Sequence, residues 1–545
     1  MTSKKTLWAF LLTLVLAMFL AACAGGSDDA DSGDGGSTDD GGSEETEDGA
    51  TADGGSGGDL MLNVLSDASS LDPHGSNDVP SSNIQANIYE TLVFQNADNE
   101  IEPLLAESWE SVDELTWEFK LREDVTFHDG SAFNADVVKA NLDRVLDPDV
   151  ASPRGFLYEM ITEVNVIDEY NVQIKTEFPF APLLAHLSHS GGGMISMDAI
   201  EEDYAAMEGG SEPGSVIAQQ PVGTGFFKFE SWTPGEEVVL ANNEEHWDGG
   251  AQVDTVTFRV VPESGTRVAE LETGNAHIID PLQPNEVSRV DSLPDASAQI
   301  QGSTSLSYLG FNTEKEPFNN EQVRQAISMA VDKASIIEGI YDGYGVEAVG
   351  PIPPGVFGYD DSVEPLEYNM EEAKALLEEA GFADGFSTSI WTNDNPQRMD
   401  TAVLVQEALA ELNIEVEIEV MEFGSFLDET AAGNHDMFIL GWSTPTADAD
   451  YATYALFHSS QVGAPGNRSF LADDEVDQLL DQGRQETDQD ARSEIYAQLQ
   501  ERLVEVAPMV YIHHQEYLTG VSDKVSGFST LPNGLYQLKD VTISE

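Results

Sequence analysis

Thr401 to Leu412 has helical spacing, and after Asn413 the chain runs Ile414-Glu415-Val416-Glu417-Ile418-Glu419-Val420. Apolar and acidic residues alternate there with period two, the mark of a half-buried strand. A helix followed at once by a strand is the local signature of an α/β layer architecture. The pattern repeats outward. Asn369 to Ala380 reads as a helix ended by Gly381, and Met437-Phe438-Ile439-Leu440 as a strand. Asn320 to Tyr341, Asp473 to Gly483 and Asp488 to Val506 read as helices. Toward the N-terminus, Leu60 to Leu65, Thr116 to Leu121, Val238 to Ala241 and Thr255 to Val261 read as strands. Asn134 to Leu146 reads as a helix with Asn134 as its N-cap. No internal repeat of solenoid length is present.

The chain has 545 residues and is 41% hydrophobic, enough for several cores. It carries 23 Lys and Arg against 100 Asp and Glu, a formal net charge of -77. That balance argues against a nucleic-acid partner, which needs clustered bases, and against docking on anionic lipid through a basic face. One cysteine excludes a disulfide framework, a four-cysteine zinc site and a cysteine-ligated iron–sulfur cluster.

Met1 to Ala22 reads as a secretory leader: Lys4 and Lys5, an apolar run from Leu7 to Leu20, then Ala21-Ala22 before Cys23. The lone cysteine after Leu20-Ala21-Ala22 resembles a bacterial lipobox, which implies lipidation at Cys23. Ala24 to Asp59 holds 12 acids, no base and no large apolar residue, so it is expected to form a disordered acidic tether. A flexible coil of that length spans roughly 30–35 Å. Beyond the leader and the tether the chain carries 88 acids against 21 bases, a net of -67. Such a body repels itself in dilute buffer, whereas in molar salt the screening length falls to about 3 Å. The composition reads as that of a salt-loving source.

Ser70-Leu71-Asp72-Pro73-His74 with Ile88-Tyr89-Glu90-Thr91-Leu92 forms one recognisable block. Leu105-Ala106-Glu107-Ser108-Trp109, Phe119-Lys120-Leu121-Arg122, Phe127-His128-Asp129-Gly130, Asp136-Val137 and Arg144 form a second. Gly223-Thr224-Gly225-Phe226-Phe227, Asn243 to Trp247, Phe318 to Asp332, Gly441-Trp442, Glu475-Val476-Asp477 and Pro508 follow in order. Together they resemble the family 5 extracellular solute-binding proteins of ABC importers, over essentially all of residues 60–545. The resemblance implies a periplasmic-binding-protein-like α/β fold: two lobes around a cleft, with an extra inserted domain. It implies domain I over residues 60–90, 222–300 and 520–545, domain II over 91–221, and domain III over 301–519, after a leader (1–22) and a lipidated tether (23–59).

The resemblance also implies a function. The protein would be a lipid-anchored monomer on the outer face of the cytoplasmic membrane. It would bind short peptides and deliver them to an ABC permease and ATPase complex, with no cofactor, no metal and no catalysis. Glutathione-like, nickel-complex or oligosaccharide ligands are the alternatives within the family, and an extracytoplasmic peptide hydrolase is the disfavoured alternative outside it. No nucleophile with a positioned base is recognisable.

The segment after Trp442 would carry the acid that meets a peptide ammonium in peptide-binding relatives. Pro445 stands where that acid aligns, so Asp448 and Asp450 are the candidates, either of which could instead cap a helix. Trp442 is a cleft wall or a packing residue. Arg398 and Arg468 are candidates for the ligand carboxylate. Asn77 and Asp78 are candidates from the first lobe, with turn chemistry as the alternative. His513-His514 is a poor metal pair, because neighbours on a strand point to opposite faces.

Overall fold

A computed structural model of the chain describes residues 57–463 and 466–544. Cys23, the leader and almost all of the acidic tether lie outside the described residues. Among the described residues no helix is long and apolar enough to cross a membrane.

Eleven strands form one sheet that runs through both lobes. Its spatial order is Glu415–Met421, Ser387–Asn393, Met437–Ser443, Ala296–Phe311, Met509–Ser522, Ile278–Asp280, Asp59–Val64, Thr255–Val260, Glu237–Asn242 and Phe227–Thr233, with Val346–Glu347 paired beside Met509–Ser522. Asp59–Val64 organises the first lobe. It pairs in parallel with Thr255–Val260 on one side and Ile278–Asp280 on the other. Its alternation turns Leu60 and Leu62 into a fully buried core with Val238, Leu240 and Val256.

Two long antiparallel strands, Ala296–Phe311 and Met509–Ser522, carry the chain between the lobes. Their ladder breaks where they cross. Gly302 faces Glu516 and Leu306 faces His514, so four steps on one strand oppose two on the other. The backbone and side chains of this break find other partners. Ser303 Oγ donates to the Gln515 carbonyl (2.6 Å) and the Thr304 amide to the Pro532 carbonyl (2.9 Å).

A separate four-stranded antiparallel sheet, in the order Ala106–Asp113, Thr116–Leu121, Asn171–Thr176, Ile161–Asp168, forms the inserted body. The helix Ala135–Val145 covers it. Asn134 caps this helix by accepting the Val137 amide, Asp136 complements the positive end of the helix dipole, and Val137, Val138, Leu142 and Val145 face the sheet.

The motif residues Asp72, His74 and Arg144 belong to a joint between this body and the first lobe. Arg144 is fully buried; it donates to Asp72 (2.8 and 3.2 Å), to Asp203 (3.0 Å) and to His74 Nδ1 (2.9 Å). Glu90 makes a second joint, accepting from Trp247 Nε1 (3.0 Å) and meeting His246 Nε2 (3.2 Å).

Three local readings change. The helix expected over Asn320 to Tyr341 is two helices, Glu321–Ala330 and Lys333–Ile340. Val331 turns extended, and Asp332 caps the second helix by accepting the Ser335 amide. The helix expected from Thr401 starts earlier, as Pro396–Ala410, because Asn395 caps it and proline suits its first turn. The strand expected over Met437 to Leu440 runs on to Ser443, with Gly441, Trp442 and Ser443 pairing with Ser307, Leu306 and Ser305.

Candidate functional site

Where the lobes and the inserted body meet, a cavity of about 190 Å³ opens. Four parts of the chain wall it, one of them the C-terminal Asn533 and Leu535. The opening segment contributes Asn77, Asp78 and Ser82; the inserted body contributes Arg154, His189 and Ser190; the second lobe contributes Gly441 to Ser443, Pro445 and Tyr451.

Each wall is held locally. Asp78 is the N-cap of the helix Val79–Ile88: its Oδ1 accepts the Ser81 amide (2.8 Å) and its Oδ2 accepts the Ser69 hydroxyl. His189 precedes a short turn of helix, Ser190–Gly192, and accepts the Gly191 amide at Nδ1 (2.9 Å). Trp442 Nε1 donates to the Tyr451 carbonyl (3.0 Å), which ties the end of the strand Met437–Ser443 to the start of the helix Ala449–Phe457. The Tyr451 ring stacks on His189 (centroids 6.1 Å apart) and lies 5.7 Å from Trp442.

The inserted body also closes directly on the second lobe. Gln95 Nε2 donates to the Thr446 carbonyl (2.7 Å) and the Ala181 amide to the Arg484 carbonyl (2.9 Å). Arg484 lies over the rings of Tyr454 (3.8 Å) and Phe180 (5.1 Å). These contacts hold the inserted body against the second lobe beside the cavity.

Of the residues singled out from sequence, Asn77, Asp78 and Trp442 line this cavity. Asp448 does not. It caps the helix Ala449–Phe457 through the Asp450 amide (2.9 Å), and both its oxygens are held by Arg492, at 2.6 and 2.7 Å. The expectation that it meets a ligand ammonium gives way to an internal ion pair, because its charge is already matched by Arg492 and it stands off the cavity wall. Asp450 is likewise turned inward, 3.0 Å from Arg484 Nε and 3.4 Å from His186 Nε2 of the inserted body. Burial by itself would raise its pKa, but Arg484 and His186 hold it below the ordinary aspartate value. Asp450 bridges the two bodies, and it does not line the cavity.

Arg398 lies beneath the cavity floor. A Cβ at Gly441 would come within 3.4 Å of Arg398 Nη2, so glycine there brings the guanidinium close to the cleft. Arg398 Nη1 donates to Asn393 Oδ1 (2.9 Å), Tyr308 and Tyr341 stand nearby, and among the described residues it forms no ion pair. Burial lowers its pKa from the ordinary arginine value. Arg468 is buried away from the cavity wall and donates from Nε to Thr430 Oγ1 (3.1 Å). His513 and His514 are both buried in the strand Met509–Ser522, and among the described residues no cluster of three metal-ligating side chains occurs.

Sequence reasoning missed Arg154 and Ser190. Arg154 donates to the Ser76 carbonyl (2.6 Å), Asn77 Oδ1 (2.6 Å) and Ser82 Oγ (3.0 Å). Its one sequence signal is that it is an arginine in a chain with few bases, inside Ser152-Pro153-Arg154-Gly155.

Comparison with known proteins places this geometry among relatives. Residues 100–464 match the family described as bacterial extracellular solute-binding proteins, family 5 middle. The glutathione-binding protein GsiB of Pectobacterium atrosepticum is 31% identical over 497 residues, 89% of this chain and 94% of that protein. The periplasmic binding protein DppA of Helicobacter pylori, solved with the peptide STSA, superposes with a TM-score of 0.80 at 32% identity, covering 90% of this chain and 99% of that one. The dipeptide-binding protein of Pseudoalteromonas sp. SM9913, solved with Met-Leu, gives a TM-score of 0.80 at 25% identity, covering 89% of this chain and all of that one.

Proposed function

Because this chain belongs to the bacterial extracellular solute-binding proteins of family 5, we propose that it captures short peptides for an ABC importer in the cavity between its lobes. One observation carries the reading: a single cavity walled jointly by the opening segment, the inserted body and the second lobe. An occupant would touch all three at once, which favours the closed arrangement over an open one. At about 190 Å³ the cavity is smaller than the usual 300–1,000 Å³ of drug-sized ligand pockets, which suits a ligand of few residues. The relatives solved with STSA and with Met-Leu support a peptide. GsiB supports glutathione, itself a short peptide, as the second reading.

In this reading the ligand leaves unaltered, and the partners are a permease and its ATPase. The resemblance supports the division into domain I (60–90, 222–300, 520–545), domain II (91–221) and domain III (301–519). Cys23 is read as the lipid anchor that holds a monomer at the outer face of the membrane, and the acidic body as an adaptation to salt. Native mass spectrometry of the protein purified without refolding tests the binding role: one peptide-sized molecule per chain is expected. A chain that stays empty after exposure to a mixture of di- and tripeptides contradicts it.

A further inference from the structure

Arg154 sets the chemistry of the cavity. Its side chain lines the cavity and is 2% exposed, yet among the described residues it forms no ion pair. Other buried arginines are accounted for. Arg144, Arg484 and Arg492 face aspartates. Arg267 and Arg324 lack an acid but donate to backbone carbonyls away from the cavity. Arg154 instead meets a carbonyl, an amide oxygen, a hydroxyl and an imidazole, all neutral. A charge removed from water without a counter-charge is costly.

His189 sharpens the point. The Gly191 amide approaches its Nδ1 at 2.9 Å, and Arg154 Nη1 approaches its Nε2 at 3.1 Å. Burial, aided by the charge of Arg154, drives the ring to its neutral form. A neutral imidazole accepts at one nitrogen and donates from the other, while amide and guanidinium only donate. Whichever nitrogen carries the proton, one donor in this corner lacks an acceptor. The Tyr451 hydroxyl, in the same wall, has no hydrogen-bond partner among the described residues. The nearby acid, Asp78, has each of its oxygens engaged in capping contacts. The corner therefore has an excess of donors, and Asp78, the one acid lining the cavity among the described residues, is not in contact with Arg154; a ligand carboxylate, which only accepts, would satisfy the donors and meet the guanidinium directly.

Resting on the peptide-binding reading, we propose that Arg154, with His189 and Tyr451, receives a carboxylate of the ligand, and that the cavity selects short peptides bearing more carboxylates than amines. Arg398 beneath Gly441 adds a second positive charge on the floor.

Equilibrium dialysis of the full chain at fixed molar salt tests this, with an equimolar mixture of Ala-Glu-Ala, its isostere Ala-Gln-Ala, Ala-Lys-Ala and reduced glutathione. The expected result is retention of Ala-Glu-Ala and glutathione at least ~30-fold above the other two, the scale set by a desolvated charge pair. Arg154→Gln should remove that ratio. Ser190→Asp, at a half-buried wall position, places a carboxylate in the corner; it should do the same and raise retention of Ala-Lys-Ala. If Arg154→Gln does not fold, Ser190→Asp decides. Equal retention of the Glu and Gln peptides, or a ratio that survives in the folded variants, overturns the inference and leaves the peptide reading standing. Retention of none of the four overturns the peptide reading and this inference with it.

Discussion

Replacing Asp448 by asparagine separates two roles that a chain rich in acids makes easy to confuse. The structure gives Asp448 an internal partner, with both oxygens on Arg492 and neither on the cavity wall. Asparagine caps a helix about as well as aspartate, so Asp448→Asn keeps the cap at the Asp450 amide and removes only the charge. Arg492 would keep the Gly483 carbonyl (2.7 Å), the Tyr496 hydroxyl (3.3 Å) and the ring of Phe357 (4.7 Å). It would lose the only carboxylate in contact with it among the described residues. Breaking a buried pair from one side typically costs about 3–5 kcal/mol. For a body of 150–250 residues, each kcal/mol shifts the melting temperature by about 2–4 °C. A loss of roughly 6–20 °C in the transition of the second lobe follows, read by calorimetry at fixed molar salt. Peptide affinity of the folded variant should stay within about threefold of the parent. A variant that melts with the parent but loses affinity 30-fold would refute this assignment and restore Asp448 as a ligand contact.

Further outcomes are expected. His128, His435, His513 and His514 are pushed down to about 4 by burial. In the unfolded chain they titrate near 6.5, so between about pH 6.5 and 4 the unfolded state binds more protons and stability falls as pH falls. His513→Gln should flatten the stability profile in that window, and an unchanged slope counts against the buried neutral ring. The net of -67 on the body predicts a melting temperature that rises steeply from dilute buffer to molar KCl; a flat response contradicts self-repulsion as a major destabilising force. Cys23→Ser should release the protein from membranes or stop its processing, and unchanged membrane retention in fractionation argues against lipidation.

Helices and strands were readable because their signals are local. Asn134 lies next to the helix it caps, and Ile414 to Val420 shows its alternation within seven residues. The break at Val331-Asp332 shows the limit of periodicity: apolar spacing continues across it, and only the cap at Asp332 divides the helix. The cavity was legible in part. Asn77, Asp78 and Trp442 sit in segments carried by resemblance, whereas Arg154 meets Asn77 and His189 across 77 and 35 residues, through folds of two different bodies. The acids failed for a related reason. Nothing near Asp448 in the chain announces Arg492, 44 residues on, so an internal pair and a ligand anchor look alike until the helices are packed.

A calorimetric titration of the parent chain and of Ser190→Trp with the peptide that the protein retains best tests the central claim most directly. One peptide per chain is expected for the parent, with loss of that binding in a variant that keeps the parent's circular dichroism, because the indole fills the cavity between the bodies. Stoichiometric binding that is indifferent to the filled cavity, or no binding of any short peptide by the parent, would contradict it.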